Sequence, residues 1–426
     1  MPPLLRRVAG LLILFLAPIV TAVAGVAGFL LTALVSSDPR ALCLAGLAAG
    51  LLVALALALP GWALVRPPRS RTAAITYACL VVAVCAASFS LAVLVPGPRP
   101  GAGPPPSGVS FWTLRTGSRI AYVHQPAVGR PRPYPVVFLH GGPGTPGEGL
   151  PAVAGALSAA GFDVYAYDQL GAGRSTRLRD VRGYTVARQV ADLEAIRVLL
   201  GADRLIIVGQ SWGGSLAAQY VAAHPRQVHQ VVFTSPGAIW PRAWPDGGGG
   251  DPWARLSAEQ QKKRDAVVDR PRIVAQALLQ QINPNAAHRL VGDDEADEML
   301  HQVAVLGKDA TACPGAVSGP VHGNHQGFYV NQNTVADFDT IADPRPALRT
   351  VAVPALILRG ACDFVPWPVT REYRDLVPGA VLVAIPGAGH GIAAGQPVLY
   401  TQLLQAFLTG GRLPLPPYTA EAQPSA

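Results

Sequence analysis

The chain has 426 residues, half of them hydrophobic and only 14% charged, with a net charge of +8. Residues 1–110 hold seven arginines and one acid, Asp38, a surplus of six positive charges that leaves only +2 for everything after; this excludes a nucleic-acid footprint, which needs a basic patch in the folded domain. Five cysteines are too few for a disulfide scaffold, and three of them (Cys43, Cys79 and Cys85) lie in apolar runs where a thiol acts as a small hydrophobe.

Three runs, residues 8–35, 41–65 and 72–95, contain no charge. Each exceeds the ~20 residues that cross a bilayer core, and a signal peptide, with an apolar stretch of only about 7–15 residues, does not account for them. The reading is three transmembrane helices, with Pro18 and Pro60 as tolerated kinks. Arg6 and Arg7 precede the first run, and the second loop carries Arg66, Arg69 and Arg71, whereas the first loop sets Asp38 against Arg40. Positive loops stay inside, so the N-terminus is expected in the cytoplasm and the chain beyond residue 95 outside it. Residues 1–95 are thus a membrane anchor that meets the lipid bilayer through residues 8–95. Residues 96–108 are a Pro/Gly linker, and 411–426 a disordered tail.

Residues 110–125 read as a hairpin turning at Gly117-Ser118. The buried strand 135–139 runs into His140-Gly141-Gly142-Pro143-Gly144, a glycine loop in which backbone N–H groups can approach a substrate oxygen. A short helix (151–160) and a strand (162–167) lead to Asp168-Gln169-Leu170-Gly171-Ala172-Gly173-Arg174-Ser175. That loop lacks the Lys-Ser/Thr pair of a phosphate loop, so Asp168 is read as tying down backbone N–H groups. Helix 186–200 places Asp192 and Glu194 on its polar side. Leu205-Ile206-Ile207-Val208 is a buried strand, Gly209-Gln210-Ser211-Trp212-Gly213 follows, and 215–223 is an Ala-rich helix. Strand, G-x-S-x-G and helix together make a nucleophile elbow, with Gly209 and Gly213 required because side chains there would strike the neighbouring strand and helix.

A strand at 228–234 precedes an irregular stretch, 236–346, read as a cap inserted into a core formed by 109–235 and 347–410. Its acids at 293–298 are read as a solvated helix face. His322 and His325 have no third ligand in view, so no metal and no cofactor are expected. Strand 353–358 ends before Asp363, strand 381–385 before His390, and helix 397–408 closes the domain. Strands alternating with helices imply a doubly wound, mostly parallel sheet with its ligand at the carboxyl ends of the strands. The order Ser211, Asp363, His390, each just past a strand, is that of the α/β-hydrolase fold. Ser211 is the expected nucleophile, His390 the general base and Asp363 its orienting acid. Trp212, after the nucleophile, supplies one oxyanion N–H. Whether Cys313 and Cys362 pair or remain two thiols is open.

At HGGPG, DQLGAGRS and GQSWGG the chain resembles the proline iminopeptidase family of α/β-hydrolases over about residues 111–408. The resemblance implies the triad Ser211, Asp363 and His390, with Gly142 and Trp212 as oxyanion donors, and a small peptide or amide substrate; a carboxylic ester or lactone is the alternative. That family binds its substrate's amine with cap glutamates. Here no W-E pair occurs, and Gly323-Asn324-His325 has glycine where the second glutamate is expected.

Overall fold

The computed structural model describes residues 2–65, 70–99, 104–316 and 321–425. Arg66 and Arg69 of the second loop, and 100–103 of the linker, lie outside the described residues. In chain order the elements are α1 (Pro3–Thr32), α2 (Pro39–Val65), α3 (Ser70–Phe89, continued by a π-turn, Ser90–Leu94), β1 (Ser110–Thr113), β2 (Arg119–Gln125), β3 (Val136–Leu139), α4 (Ala154–Ala159), β4 (Val164–Tyr167), α5 (Val186–Leu199), β5 (Leu205–Gln210), α6 (Trp212–Ala223) and β6 (Val228–Thr234). There follow α7 (Ala258–Val268), α8 (Pro271–Ile282), α9 (Pro284–Leu290), α10 (Asp293–Gly307), α11 (Phe328–Phe338), α12 (Arg345–Leu348), β7 (Ala355–Gly360), α13 (Trp367–Leu376), β8 (Val381–Ile385), α14 (Ile392–Gly395) and α15 (Pro397–Thr409).

The chain divides into two compact units, one of residues 1–98 with 268–295, the other of residues 99–267 with 296–426. In the first, α1, α2 and α3 are long and apolar enough to cross a membrane. Lipid-like surfaces offer helices no hydrophobic reason to associate, so small residues bring the backbones together. Gly25 and Gly46 meet so closely that a Cβ on Gly46 would lie 2.8 Å from the Gly25 carbonyl oxygen. The helices α8 and α9 belong to this unit: α8 packs against α1 and the end of α3, and α9 against α2.

The second unit is built on an eight-stranded sheet of order β1-β2-β4-β3-β5-β6-β7-β8. The β1–β2 and β2–β4 pairs are antiparallel and the rest parallel. The parallel strands are runs of Val, Ile and Leu because helices cover both their faces. Val136, Ile206, Val208, Val232, Leu356 and Leu358 pack beneath α4 and α15, whose Leu157, Leu403 and Leu404 are fully buried. All eight strands fall where the sequence places them.

Three expectations need correction. Asp192 is 2% exposed: it accepts from Ser118 Oγ at 2.8 and 2.9 Å and from Thr116 Oγ1 at 2.5 Å, so it anchors the β1–β2 turn instead of facing water. In the acidic run, Glu295 and Asp297 are buried at 5% and 2%. Glu295 pairs with Arg272 at 2.6 Å and Asp297 with Arg177 at 2.8 Å. The segment after 410 has no helix or strand, yet it is packed: the Tyr418 N–H donates to the Leu382 carbonyl at 2.7 Å, the Trp367 indole donates to the Glu421 carbonyl, and Leu413 and Leu415 cover the core. A few apolar residues spaced among prolines are enough to fix such a strap.

Candidate active site

The carboxyl ends of β3, β4, β5, β7 and β8 converge on one edge of the sheet, where loops meet rigid strand ends. Ser211 follows β5 directly, with φ 55° and ψ −118°, a conformation an L-residue holds only when its surroundings impose it. The surroundings do so. The Ser211 N–H donates to Thr234 O, and its carbonyl accepts from the N–H groups of Gly214 and Gly237. A Cβ on Gly209 would lie 2.2 Å from Gly213 O, and one on Gly213 would lie 2.2 Å from Leu139 O, so neither position admits a side chain. The helix α6 begins at Trp212, earlier than its Ala-rich run suggests. Its N-terminal N–H groups, unsatisfied within the helix and carrying the positive end of its dipole, start at the serine.

Past β7, Asp363 is 3% exposed; past β8, His390 is 6% exposed. His390 Nδ1 is 2.8 Å from Asp363 Oδ1, and the same oxygen accepts from the Val365 N–H at 3.1 Å. Burial works to raise the Asp363 carboxyl. The His390 charge and hydrogen bond, the Arg359 guanidinium and the Val365 N–H outweigh it and hold the group below the usual carboxylate range. Arg359, fully buried on β7, lies 4.0 Å from Asp363 Oδ2 and is itself held by Thr370 Oγ1 at 2.6 Å and Val365 O at 2.8 Å. Sequence reasoning missed Arg359; its one signal is a charge inside an otherwise apolar strand.

The acid and base loops share a brace. Cys313 and Cys362 form a disulfide, Cα to Cα 5.1 Å. The Arg255 guanidinium donates to the carbonyls of Cys362 (2.8 Å) and Asp363 (3.2 Å). The His390 N–H donates to Thr311 O at 2.8 Å. Segments 252–255 and 308–313 of the intervening stretch therefore hold both partners of the imidazole–carboxylate pair.

The glycine loop after β3 lies against the elbow, where a Cβ on Gly141 would be 3.1 Å from Ser211 Cβ. The Gln169 N–H donates to His140 Nε2 at 2.9 Å, and His140 Nδ1 lies 2.9 Å from Gly141 O. Nε2 is thus the acceptor and Nδ1 carries the proton. Burial, helped by nearby His322, lowers His140 to about 4 against the pull of Gly141 O, so it stays neutral. The Gln169 side chain continues the chain of bonds, donating to His140 O at 2.8 Å and accepting from the Trp212 indole at 3.1 Å; Gln189 accepts from the same indole. The start of α11 pins the loop from above: the Gly327 N–H donates to Gly144 O and Asn331 Nδ2 to Pro143 O. Gln169 and Gln189 were not singled out in the sequence.

Asp168 accepts from the Arg174 N–H at 2.8 Å and from Asn324 Nδ2 at 3.1 Å, closing the 168–175 loop. Burial raises its carboxyl against those bonds. Between this loop, the glycine loop and α14 lies a cavity of about 500 Å³, lined by Glu148, Asp168, Arg174, His322 and Asn324 and bordered by Gln210 and Gly391, the neighbours of Ser211 and His390. Glu148 is 3.0 Å from Arg174. No cluster of His, Cys, Asp or Glu suited to a metal occurs among the described residues, His322 and His325 included.

Residues 134–394 match the family model described as alpha/beta hydrolase fold. The chain is 30% identical to a proline iminopeptidase of Xylella fastidiosa over 281 residues, which is 62% of this chain and 85% of that protein. It is 42% identical over 104 residues to a proline iminopeptidase of Heyndrickxia coagulans, covering 24% of this chain and 35% of that one. The crystal structure of a proline iminopeptidase from Mycobacterium smegmatis aligns with a TM-score of 0.46 and 22% identity over 71% of this chain and 98% of its own.

Proposed function

The chain belongs to the α/β-hydrolase fold family as a proline iminopeptidase-like hydrolase, and from that premise we propose that it is a membrane-anchored serine peptidase that releases N-terminal residues or cleaves small amides through an acyl-enzyme. The observation that carries the mechanism is the buried His390–Asp363 hydrogen bond on the same sheet edge as the strained Ser211.

In this reading His390 Nε2 takes the proton of Ser211 Oγ as the oxygen attacks the substrate carbonyl, and Asp363 fixes the Nδ1–H tautomer and stabilises the imidazolium that forms. The backbone N–H groups of Trp212 and Gly142 receive the negative charge that develops on the carbonyl oxygen; the first opens α6, the second sits in the loop that His140 and Gln169 hold rigid. The imidazolium then protonates the leaving amine. Water, deprotonated by the same histidine, hydrolyses the ester on Ser211 and returns the enzyme.

A second reading, a carboxylic ester or lactone as substrate, is favoured by one feature of the cavity. Its two carboxylates are already engaged, Glu148 with Arg174 and Asp168 with Asn324 and the Arg174 N–H. Position 323, where the resemblance calls for glutamate, is glycine with no atom within 4 Å of a built Cβ. A substrate ammonium group therefore meets less negative charge here than the peptidase reading needs.

The test is active-site labelling of the full chain in lipid with a fluorophosphonate, followed by turnover of Pro- and Ala-arylamides beside short acyl esters. Ser211→Ala is expected to abolish labelling and to lower kcat by roughly 10⁴-fold or more. Labelling unchanged in that variant would refute the serine mechanism. Ester turnover without any amide turnover selects the second reading.

A further inference from the structure

Helix α8 buries polar side chains beside its apolar Ile273 and Leu279 and leaves other apolar ones outside. Arg272, Gln276 and Gln280 follow one another at four-residue intervals, and all three are buried, at 7%, 0% and 8% exposure. Val274 and Leu278, also four apart, are 42% and 47% exposed, and Ala277 between them is exposed too. A helix on an aqueous surface shows the reverse arrangement. Burying a guanidinium while leaving valine and leucine outside stabilises the fold only if something other than water lies against that outer face.

Two of the hairpin's polar side chains, Arg272 and Asn283, close the ends of apolar helices. Arg272 pairs through Nε and NH2 with Glu295 at 2.6 and 3.0 Å, and its NH1 donates to the Val93 carbonyl at 2.7 Å. The Gly97 N–H donates to Glu295 Oε1 at 2.8 Å. At the turn between α8 and α9, Asn283 Nδ2 donates to the Ala33 carbonyl at 2.9 Å while its Oδ1 caps α9. Val93 and Ala33 stand at the C-terminal ends of the third and first apolar helices. Carbonyls there have no partner within the helix, and at the edge of a hydrocarbon layer little water reaches them. In three successive spans, the ends of the first and third face the same side. The hairpin binds both.

We propose that the α8–α9 hairpin is an interfacial part of the membrane anchor, with its Val274–Ala277–Leu278 face immersed in the lipid leaflet on the side where α1 and α3 end. The proposal rests on the reading of α1–α3 as spans. Twelve residues of helix measure about 18 Å, too short for the ~30 Å hydrocarbon core, so α8 lies in the leaflet and does not cross it. The outer surface around it is of one kind. Leu91 and Val95 on the α3 side and Leu34 and Val35 on the α1 side are 54–87% exposed, continuing the apolar face of the same compact unit. The occupant that covers the spans also covers the hairpin, and that occupant is acyl chain.

The experiment uses the full chain in phospholipid nanodiscs, with Cys43, Cys79 and Cys85 replaced by alanine. A polarity-sensitive dye is attached in turn to Val274→Cys, Leu278→Cys, Leu80→Cys on α3 and Val398→Cys on α15. Quenching is read with nitroxide-labelled lipid and with aqueous iodide. The expected result is blue-shifted emission at 274 and 278, quenched by the lipid nitroxide and insensitive to iodide, as at position 80, while 398 responds to iodide. Ala277→Cys, on the same face, repeats the reading should either larger side chain be needed for folding. Iodide quenching at 274 and 278 equal to that at 398, with position 80 still in lipid, overturns the proposal and leaves the spans standing. Position 80 in water would instead refute the spans. Protection from both quenchers that disappears on dilution into excess lipid would mean a second copy covers the face, and this too overturns it.

Discussion

Arg359 and His140, neither a member of the proposed triad, carry the titration behaviour of the site. Arg359 faces Asp363 with neither side chain reaching solvent, and removing one member of a buried pair leaves the other uncompensated, a loss of about 3 kcal/mol or more. Arg359→Met is therefore expected to lower the melting temperature and, because the guanidinium favours ionised Asp363, to move the acid limb of kcat/KM upward; thermal melts and a pH profile read the two effects. His140 works in the opposite sense. It binds a proton in the unfolded chain near 6.5 but in the fold only near 4. Between those values the unfolded state holds the extra proton, so stability is complete above 6.5 and declines as pH falls toward 4. The loss reaches about 3 kcal/mol from this residue. Denaturation of the wild type at pH 7 and pH 4.5, beside His140→Asn, is expected to show a shallower pH dependence in the variant.

At the scale of elements, how far the sequence is legible follows from what each signal encodes. The eight strands can be read because a parallel strand covered on both faces must be a β-branched run, and Ser211, Asp363 and His390 can be read because each stands just past one. Periodicity does not reveal what an element faces. Asp192 looks like a solvated acid on α5, but its partners Thr116 and Ser118 lie 76 and 74 residues away; Asp297 meets Arg177 across 120 residues. Of the brace on the acid and base loops, the sequence offers only the open pairing of Cys313 with Cys362, since Arg255 and Thr311 have no motif. It makes a prediction. Cys313–Cys362 holds the residue next to Asp363, and Thr311 holds His390. Misplacing a catalytic group by about 1 Å can cost on the order of 100-fold in rate, so reduction of the disulfide is expected to lower kcat by roughly tenfold or more with little change in KM. A Cys313→Ala/Cys362→Ala double variant is expected to start at that lower kcat and to ignore the reductant. Unchanged kcat on verified reduction would show that Arg255 and Thr311 suffice.

For the whole molecule, the disulfide and the arginine distribution agree with one proposed topology: a bond that persists in oxidising compartments fits a hydrolase unit carried outside the cytoplasm, as the reading of α1–α3 as three spans with Arg6, Arg7 and Arg71 inside would place it. The anchor is nevertheless more than its three helices, and this bears on where the chain can be cut. Removing residues 1–98 leaves 268–295 in the remaining polypeptide but deletes their partners, namely Val93 O for Arg272, Gly97 N–H for Glu295 and Ala33 O for Asn283. Losing the hydrogen bonds of the charged Arg272 and Glu295 costs about 1.5–3 kcal/mol each where the group stays buried, and that of the neutral Asn283 somewhat less. The polar face of α8 would also meet water beside its apolar one, leaving the hairpin without a preferred surface. Residues 99–426 expressed alone are expected to bind hydrophobic dye, to aggregate at concentrations where the full chain in lipid does not, and to melt at least about 5 °C lower. The same fragment with 271–290 replaced by a short flexible linker is expected to recover solubility. A monomeric 99–426 fragment with the melting temperature of the full chain would show instead that the hairpin folds without the anchor.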